Sequence, residues 1–251
     1  MPLLSEESKK GALKKKICED LNLQEENLLS CDLYLNPFES GKIWGLENEF
    51  FSAPRIYNLE SVYCTFKAFL NAENDTRINV CAAFDNEEVG SKTKQGAGSN
   101  VLSQLIERIY DLLGKSREEV LREIAGGFML SVDVAHALHP NYTEKCDPTN
   151  KPIMNSGLVL KQAATQSYAG DAEAVAVVAG LCEAKKIPYQ TYVNRSDLAG
   201  GSTLGSIASS LVPMRTMDIG VPMLAMHSAR ETMGEKDQEA LTALLCAFFA
   251  K

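Results

Sequence analysis

From Phe51 onward the chain alternates apolar runs of strand length with segments whose apolar residues recur at helical spacing, and this alternation most limits what it can fold into. INVCAAF (78–84), GFMLSVD (127–133), PYQTYV (188–193) and VPMLAM (221–226) read as strands. Between them lie helix candidates at 58–70 with Asn58 as N-cap, 99–113 with Ser99 as N-cap, 172–184, 200–211 behind a glycine-rich turn, and 236–249. The 172–184 segment is apolar on nearly every side, which predicts a buried helix. Together these segments predict an α/β fold with a mixed, mainly parallel sheet and helices on both faces.

Residues 1–50 differ in character. They are charged, with one helix candidate at 6–21 and a short strand in CDLYLNP (31–37), and carry too few apolar residues to fold by themselves. The expected division is therefore 1–50 and 51–251, and a length of 251 residues suits one large domain with an appendage. A formal net charge of −8 and a pI near 5.1 argue against nucleic acid or an anionic membrane as partner, since phosphate binding needs a clustered basic face. The lysines at 9, 10, 14, 15 and 16 read as a solvated helix face. Seven cysteines without a CxxC pair, no apolar signal segment at the start and no membrane-length apolar run predict a cytoplasmic protein.

In open α/β sheets, ligand-binding groups gather at the carboxyl ends of strands. Glu87 and Glu88 in FDNEEVGS, Asp133 in SVDVAHALHP, the loop after Val193 and His227 in LAMHSARE all occupy such positions. Each has a bland alternative, as a helix cap or a hydrogen-bonded histidine; convergence of several is what favours a site. A metallohydrolase needs one carboxylate on the metal and another to accept and return a proton. Adjacent acids can divide those tasks, with Glu87 as base, Glu88 and His227 on one ion and Asp133 on a second. Carboxylate and imidazole donors suit zinc, and also manganese or cobalt. His136 and His139 lack the helical spacing of a zinc pair and read as structural or rim residues. GAGS (96–99) reads as a tight turn rather than a phosphate loop.

FDNEEVGS, SVDVAHALHPNY, NRSDLAGGSTLG and DIGVPMLAMHSARETMG, in this order, resemble the aspartyl aminopeptidase family of co-catalytic zinc peptidases. The resemblance spans residues 51–251, and CDLYLNP with the preceding helix resembles the end of the domain which that family inserts for oligomerisation. It implies Glu87 as catalytic base, two zinc ions held by Glu88, Asp133 and His227 among others, and a peptide substrate with an acidic N-terminal residue. It further implies Lys161 as the partner of the substrate's acidic side chain, with Gly201, Ser202 and Thr203 lining the pocket, and a homo-oligomer or an assembly with a related peptidase. On sequence alone a solvated Lys161 stands beside that role. The chain also departs from the family: the N-terminal His-x-Asp element is not in residues 1–251, and SAPRIYN puts Tyr57 where the family has a bridging aspartate. Ser167 stands in place of a usual arginine and Gly200 in place of a frequent cysteine. A phenol, with a pKa of about 10 and one oxygen, is a poor substitute for a bridging carboxylate. Weak metal affinity and low peptidase activity are expected, and missing strands should leave a sheet edge in need of cover. Three readings follow: a shortened or complemented aminopeptidase, a non-catalytic assembly or binding subunit, and a decayed product.

Overall fold

The computed structural model describes residues 10–74 and 76–250, which fall into two compact units, one ending at Phe38 and the other beginning at Glu39. In the first, helix α1 (Ala12–Asp20) starts after Gly11, whose φ of 88° breaks the helical path. The earlier part of the expected 6–21 helix, residues 6–9, lies outside the described residues. Lys16 pairs with Asp20 at 2.6 Å one turn on, an exposed contact of little weight. The strand expected in CDLYLNP does not form: residues 31–37 are irregular, and Leu33, Tyr34 and Leu35 stay exposed. A lone apolar run has no ladder to satisfy its backbone, so it remains irregular.

The second unit is built on a mixed seven-stranded sheet. Its strands are β1 (Lys42–Trp44), β2 (Phe50–Ala53), β3 (Phe128–His136), β4 (Leu158–Gln162), β5 (Tyr189–Val193), β6 (Arg215–Leu224) and β7 (Glu231–Gly234). They run in the order β1-β2-β7-β6-β4-β5, with β3 on the other edge of β6. The β3–β6 and β4–β5 pairs are parallel and the remaining ladders antiparallel. Strand pairing thus begins at β1, inside the stretch expected to belong to the N-terminal appendage. Along β6, Met217, Ile219, Val221 and Met223 are fully buried and point to one face, as the period of two requires. Helices α2 (Ile56–Leu70), α5 (Ala172–Lys185) and α7 (Glu235–Phe249) cover that face.

Helix α6 (Leu204–Leu211) lies on the opposite face, where a Cβ at Gly205 would come within 2.6 Å of the Ser131 side chain. Only glycine lets the helix backbone approach β3 and β6 so closely. Helices α3 (Val101–Leu112) and α4 (Arg117–Gly126) pack on each other, and a capping box between Ser116 and Glu119 fixes the start of α4. Among the described residues no helix is long and apolar enough to cross a membrane.

Three expectations need correction. INVCAAF (78–84) is not a strand; it joins no ladder, and Ile78 and Val80 are exposed. Between it and β3 runs a cleft of about 1280 Å³, so the run has no neighbour to bond with. Helix α5 is not buried all round; it buries one face through Ala174, Val178 and Cys182. Asn58 is not an N-cap, because its side-chain oxygen accepts no hydrogen bond and its amide nitrogen instead donates to the Val132 carbonyl at 3.0 Å.

Two buried acids lie beneath α2 and α7. Glu60 accepts from the Ser61 hydroxyl at 3.1 Å and the Cys64 thiol at 3.2 Å; Asp237 accepts from the backbone N–H groups of Asn155 at 2.6 Å and Gly157 at 2.8 Å. Burial pushes Glu60 from an ordinary 4.5 up to about 7. The folded chain therefore holds a proton that the unfolded chain has released between those two values. Stability from this group is highest at the acid end and falls as pH rises to about 7, by roughly 3 kcal/mol if the whole shift is expressed. We expect Glu60→Gln to match the parent in urea unfolding at about pH 4 and to exceed it by up to that amount at about pH 8. Equal pH dependence in the two proteins would show that Glu60 carries no such load.

Candidate metal centre

The loop that presents Glu87 and Glu88 is fixed mainly by its own backbone. Asn86 adopts a left-handed φ of 60°, and the Gly90 N–H donates to the Glu87 carbonyl at 2.9 Å, turning the chain directly after the acids. The Ser91 N–H donates to the Asn86 carbonyl at 3.0 Å, and the Asn86 amide to Thr93 Oγ1 at 3.1 Å. GAGS closes this turn, since a side chain at Gly96 would meet the Ser91 carbonyl oxygen at 2.3 Å. Burial pushes the Glu87 carboxyl up to about 6, with Asp133 and Glu88 adding to the rise. Such a group can hold or release a proton near neutrality, as a general base must.

Tyr57 and His227 face this pair. The Tyr57 phenol, pushed far up by burial and then by Asp133, Glu87 and Glu88, keeps its proton and donates to Glu87 Oε2 over a long 3.3 Å. Its ring stacks on the His227 imidazole with centroids 5.0 Å apart and planes 23° from parallel. His227 Nε2 lies 3.1 Å from Glu88 Oε1. Both rings are held from behind by Glu231, a buried acid at the start of β7. One of its oxygens accepts from the Tyr57 N–H and the other from the His227 N–H, each at 2.8 Å. This clamp fixes His227 in its left-handed conformation, φ 67°. Sequence reasoning missed Glu231; the signal was an acid opening a short strand four residues after the candidate histidine.

Asp133 comes from β3 and is engaged elsewhere. Lys161 Nζ on β4 lies 3.0 Å from Asp133 Oδ2, donates to the Val134 carbonyl at 2.8 Å and sits 4.5 Å from the centre of the Tyr168 ring. Both partners of this ion pair are buried, and Asp133 Oδ1 is buried with no hydrogen-bond partner. A cavity of about 790 Å³ joins these groups: Tyr57, Glu87, Glu88, Asp133, Lys161 and His227 all line it. Gly201 and Ser202 line it too, while Thr203, one position on, is buried with its hydroxyl 2.7 Å from Asp218 Oδ2. His136 and His139 sit on the wall, where the His139 ring accepts from the Asn141 N–H at 3.2 Å.

The donor types suit zinc, and the orphaned Asp133 oxygen is what a ligating carboxylate would present. The count does not suit it: among the described residues no three His, Cys, Asp or Glu side chains gather closely enough to hold one ion. Glu88 and His227 form a two-donor half-site with Tyr57 against it, and Asp133 is turned onto Lys161.

In an α/β fold, β3, the chain after β6 and the loop carrying Glu87 and Glu88 bring acids and a histidine to one cavity, a setting that suits a hydrolase. Residues 4–249 match the family described as Aminopeptidase I zinc metalloprotease (M18), and the chain belongs to that family. It is 45% identical over 229 residues to the "Probable M18 family aminopeptidase 2" of Clostridium novyi, covering 91% of this chain and 53% of that protein. It is 33% identical over 236 residues to "Aspartyl aminopeptidase 1" of Schizosaccharomyces pombe, covering 92% of this chain and 50% of that one. The solved M18 aminopeptidase of Thermotoga maritima superposes with a TM-score of 0.87 at 25% identity, over 100% of this chain and 58% of its own. The chain thus spans about half the length of the relatives it matches.

Replacing Glu231 with Gln leaves one of the two clamped N–H groups facing an amide that cannot accept. We expect Glu231→Gln to lower unfolding free energy by about 1–3 kcal/mol in urea titration. A loss below about 0.5 kcal/mol would show that the clamp is not a structural tie.

Proposed function

We propose that this chain is part of the catalytic domain of a metallo-aminopeptidase that releases N-terminal acidic residues from peptides, and that by itself it holds the site in a metal-poor, poorly active state. The observation that carries this reading is the meeting of Glu87, Glu88, Tyr57 and His227 over one cavity. In this reading Glu87 is the proton acceptor, Glu88, Asp133 and His227 are metal ligands, and zinc is the metal, with two ions in a complete centre. Lys161, Gly201, Ser202 and Thr203 form the substrate pocket. Lys161 is suited to a substrate carboxylate as a point charge already placed in the cavity wall, where it would exchange one carboxylate partner, Asp133, for another. Thr203 contributes by anchoring its loop to Asp218.

The unit that ends at Phe38 supports reading the N-terminal segment as a remnant of an oligomerisation insert, in a homo-oligomer or an assembly with a related peptidase. Seven unpaired cysteines suit a reducing cytoplasm. A second reading, a non-catalytic assembly subunit, is favoured by a specific feature: Leu59, Tyr63, Phe66 and Leu70 form an exposed apolar stripe along α2.

Elemental analysis after zinc incubation and gel filtration tests the proposal. We expect well under one zinc per chain, no measurable release of N-terminal aspartate, and a gain in zinc affinity of about tenfold or more in Tyr57→Asp. Two tightly held ions in the parent would overturn the role given to Tyr57, and no gain in Tyr57→Asp would count against the half-site.

A further inference from the structure

Two loops meet at the wall of the 790 Å³ cavity that carries Lys161, and the longer one grips the shorter from both of its own ends. The longer, 194–203, runs from the end of β5 to the start of α6; the shorter follows β4 and includes Ser167, Tyr168 and Ala169. At one end the Thr203 N–H donates to the Ser167 carbonyl at 3.1 Å. At the other the Asn194 amide donates to the Tyr168 hydroxyl at 3.0 Å. Ala169 is tied separately to Asp218 of β6: its carbonyl accepts from the Asp218 N–H at 2.8 Å, and its own N–H donates to Asp218 Oδ2.

The backbone on both sides of Tyr168 is thus fixed, and what remains free is the rotation of its side chain. Asn194 removes that freedom. Its side-chain oxygen accepts from the Tyr192 hydroxyl of β5 at 2.6 Å while its nitrogen holds Tyr168, so one short planar side chain is bound at both ends between two buried rings. Gly200 lies against the same amide: a Cβ there would come within 2.1 Å of Asn194 Nδ2 and 2.7 Å of its Cγ. The amide could yield to a side chain only by giving up its hydroxyl partners. Gly201, by contrast, has nothing within 4 Å of its Cβ position, so the crowding is particular to position 200.

The Tyr168 ring matters because Lys161 rests on it. The ammonium has three donors; two go to Asp133 Oδ2 at 3.0 Å and the Val134 carbonyl at 2.8 Å, and the ring centre lies 4.5 Å from Nζ. Turning the ring would take a cation-stabilising face from a side chain that is only 4% exposed and has little access to water. We propose that Asn194 is a positioning residue for Lys161: it locks the Tyr168 ring against the ammonium, Gly200 makes room for it, and the two thereby set the cavity's preference for a ligand carboxylate. That preference rests on reading Lys161 as the group that meets the carboxylate; the lock itself does not.

NMR of the full chain with labelled lysine reads the lock without any ligand, since an aromatic face moves the resonances of the Lys161 side chain upfield, and Lys161→Met assigns them. Asn194→Leu and Gly200→Ala should each lose most of that shift, and Asn194→Asp, whose two oxygens can accept from both tyrosine hydroxyls, should keep it. Calorimetric titration with L-aspartate and L-asparagine, a near-isosteric pair that differs in side-chain charge, reads the consequence. The parent and Asn194→Asp should favour aspartate by roughly tenfold, and Asn194→Leu and Gly200→Ala by less than about twofold. Unmoved Lys161 resonances in Asn194→Leu or, should that variant not fold, in Gly200→Ala overturn the proposal. So do loss of the shift in Asn194→Asp and an aspartate preference that survives loss of the shift. Binding of neither amino acid by the parent, with the shift lost as expected in the variants, refutes the acidic-substrate reading and leaves the lock standing.

Discussion

Strand β6 is the constraint on which the second unit depends. It bonds β3 along its whole length on one edge, and on the other edge β4 at Ile219 and Gly220 and then β7 at Met223 and Leu224. Three ladders meeting on one strand leave little freedom in where their ends fall. The alternation of its side chains does the rest: Met217, Ile219, Val221 and Met223 fill the core under α2, α5 and α7, while Asp218 on the other face ties down Thr203 and Ala169. Because β3 and β6 are parallel and in fixed register, Asp133 and the chain leading to His227 emerge at the same end of the sheet.

The groups at that end are tied together by hydrogen bonds and a ring stack. Glu231 holds Tyr57 and His227 by their backbones, and Tyr57 stacks on the imidazole and reaches Glu87. A carboxylate at position 57 would carry two acceptor oxygens and a negative charge into the same place. The phenol instead supplies a donor to Glu87 and an aromatic face to the His227 imidazole. On the other side of the cavity the Lys161–Asp133 pair neutralises a buried carboxylate that would otherwise be strongly destabilised.

Elements whose burial follows from their own sequence were legible. β3, β5, α6 and α7 lie close to their apolar runs, and the acids and histidine placed at strand ends do line one cavity. What failed depended on partners far along the chain. INVCAAF has strand composition, but a strand exists only in a ladder, and the cleft separates it from β3. Asn58 looked like a cap because a cap is defined locally, whereas its amide is used by Val132, distant in sequence. Lys161 showed no sign of its tie to Asp133, and Glu231 could not be distinguished from a surface acid until β7 paired between β2 and β6.

Asp133 is set by the β3–β6 ladder, but Glu87 and Glu88 hang from a segment that belongs to no ladder. The polar contacts from that pair to the rest of the site are to Tyr57 and His227, both side-chain contacts, and Glu88 and His227 are more than half exposed. Metal ligands must be held to a fraction of an ångström by what lies behind them. A carboxylate at position 57 would therefore strengthen the half-site of Glu88 and His227, where Glu231 already provides the backing. It would do little for the distance between that half-site and Asp133, because Asp133 is held by the β3–β6 ladder and Glu88 by a loop outside any ladder.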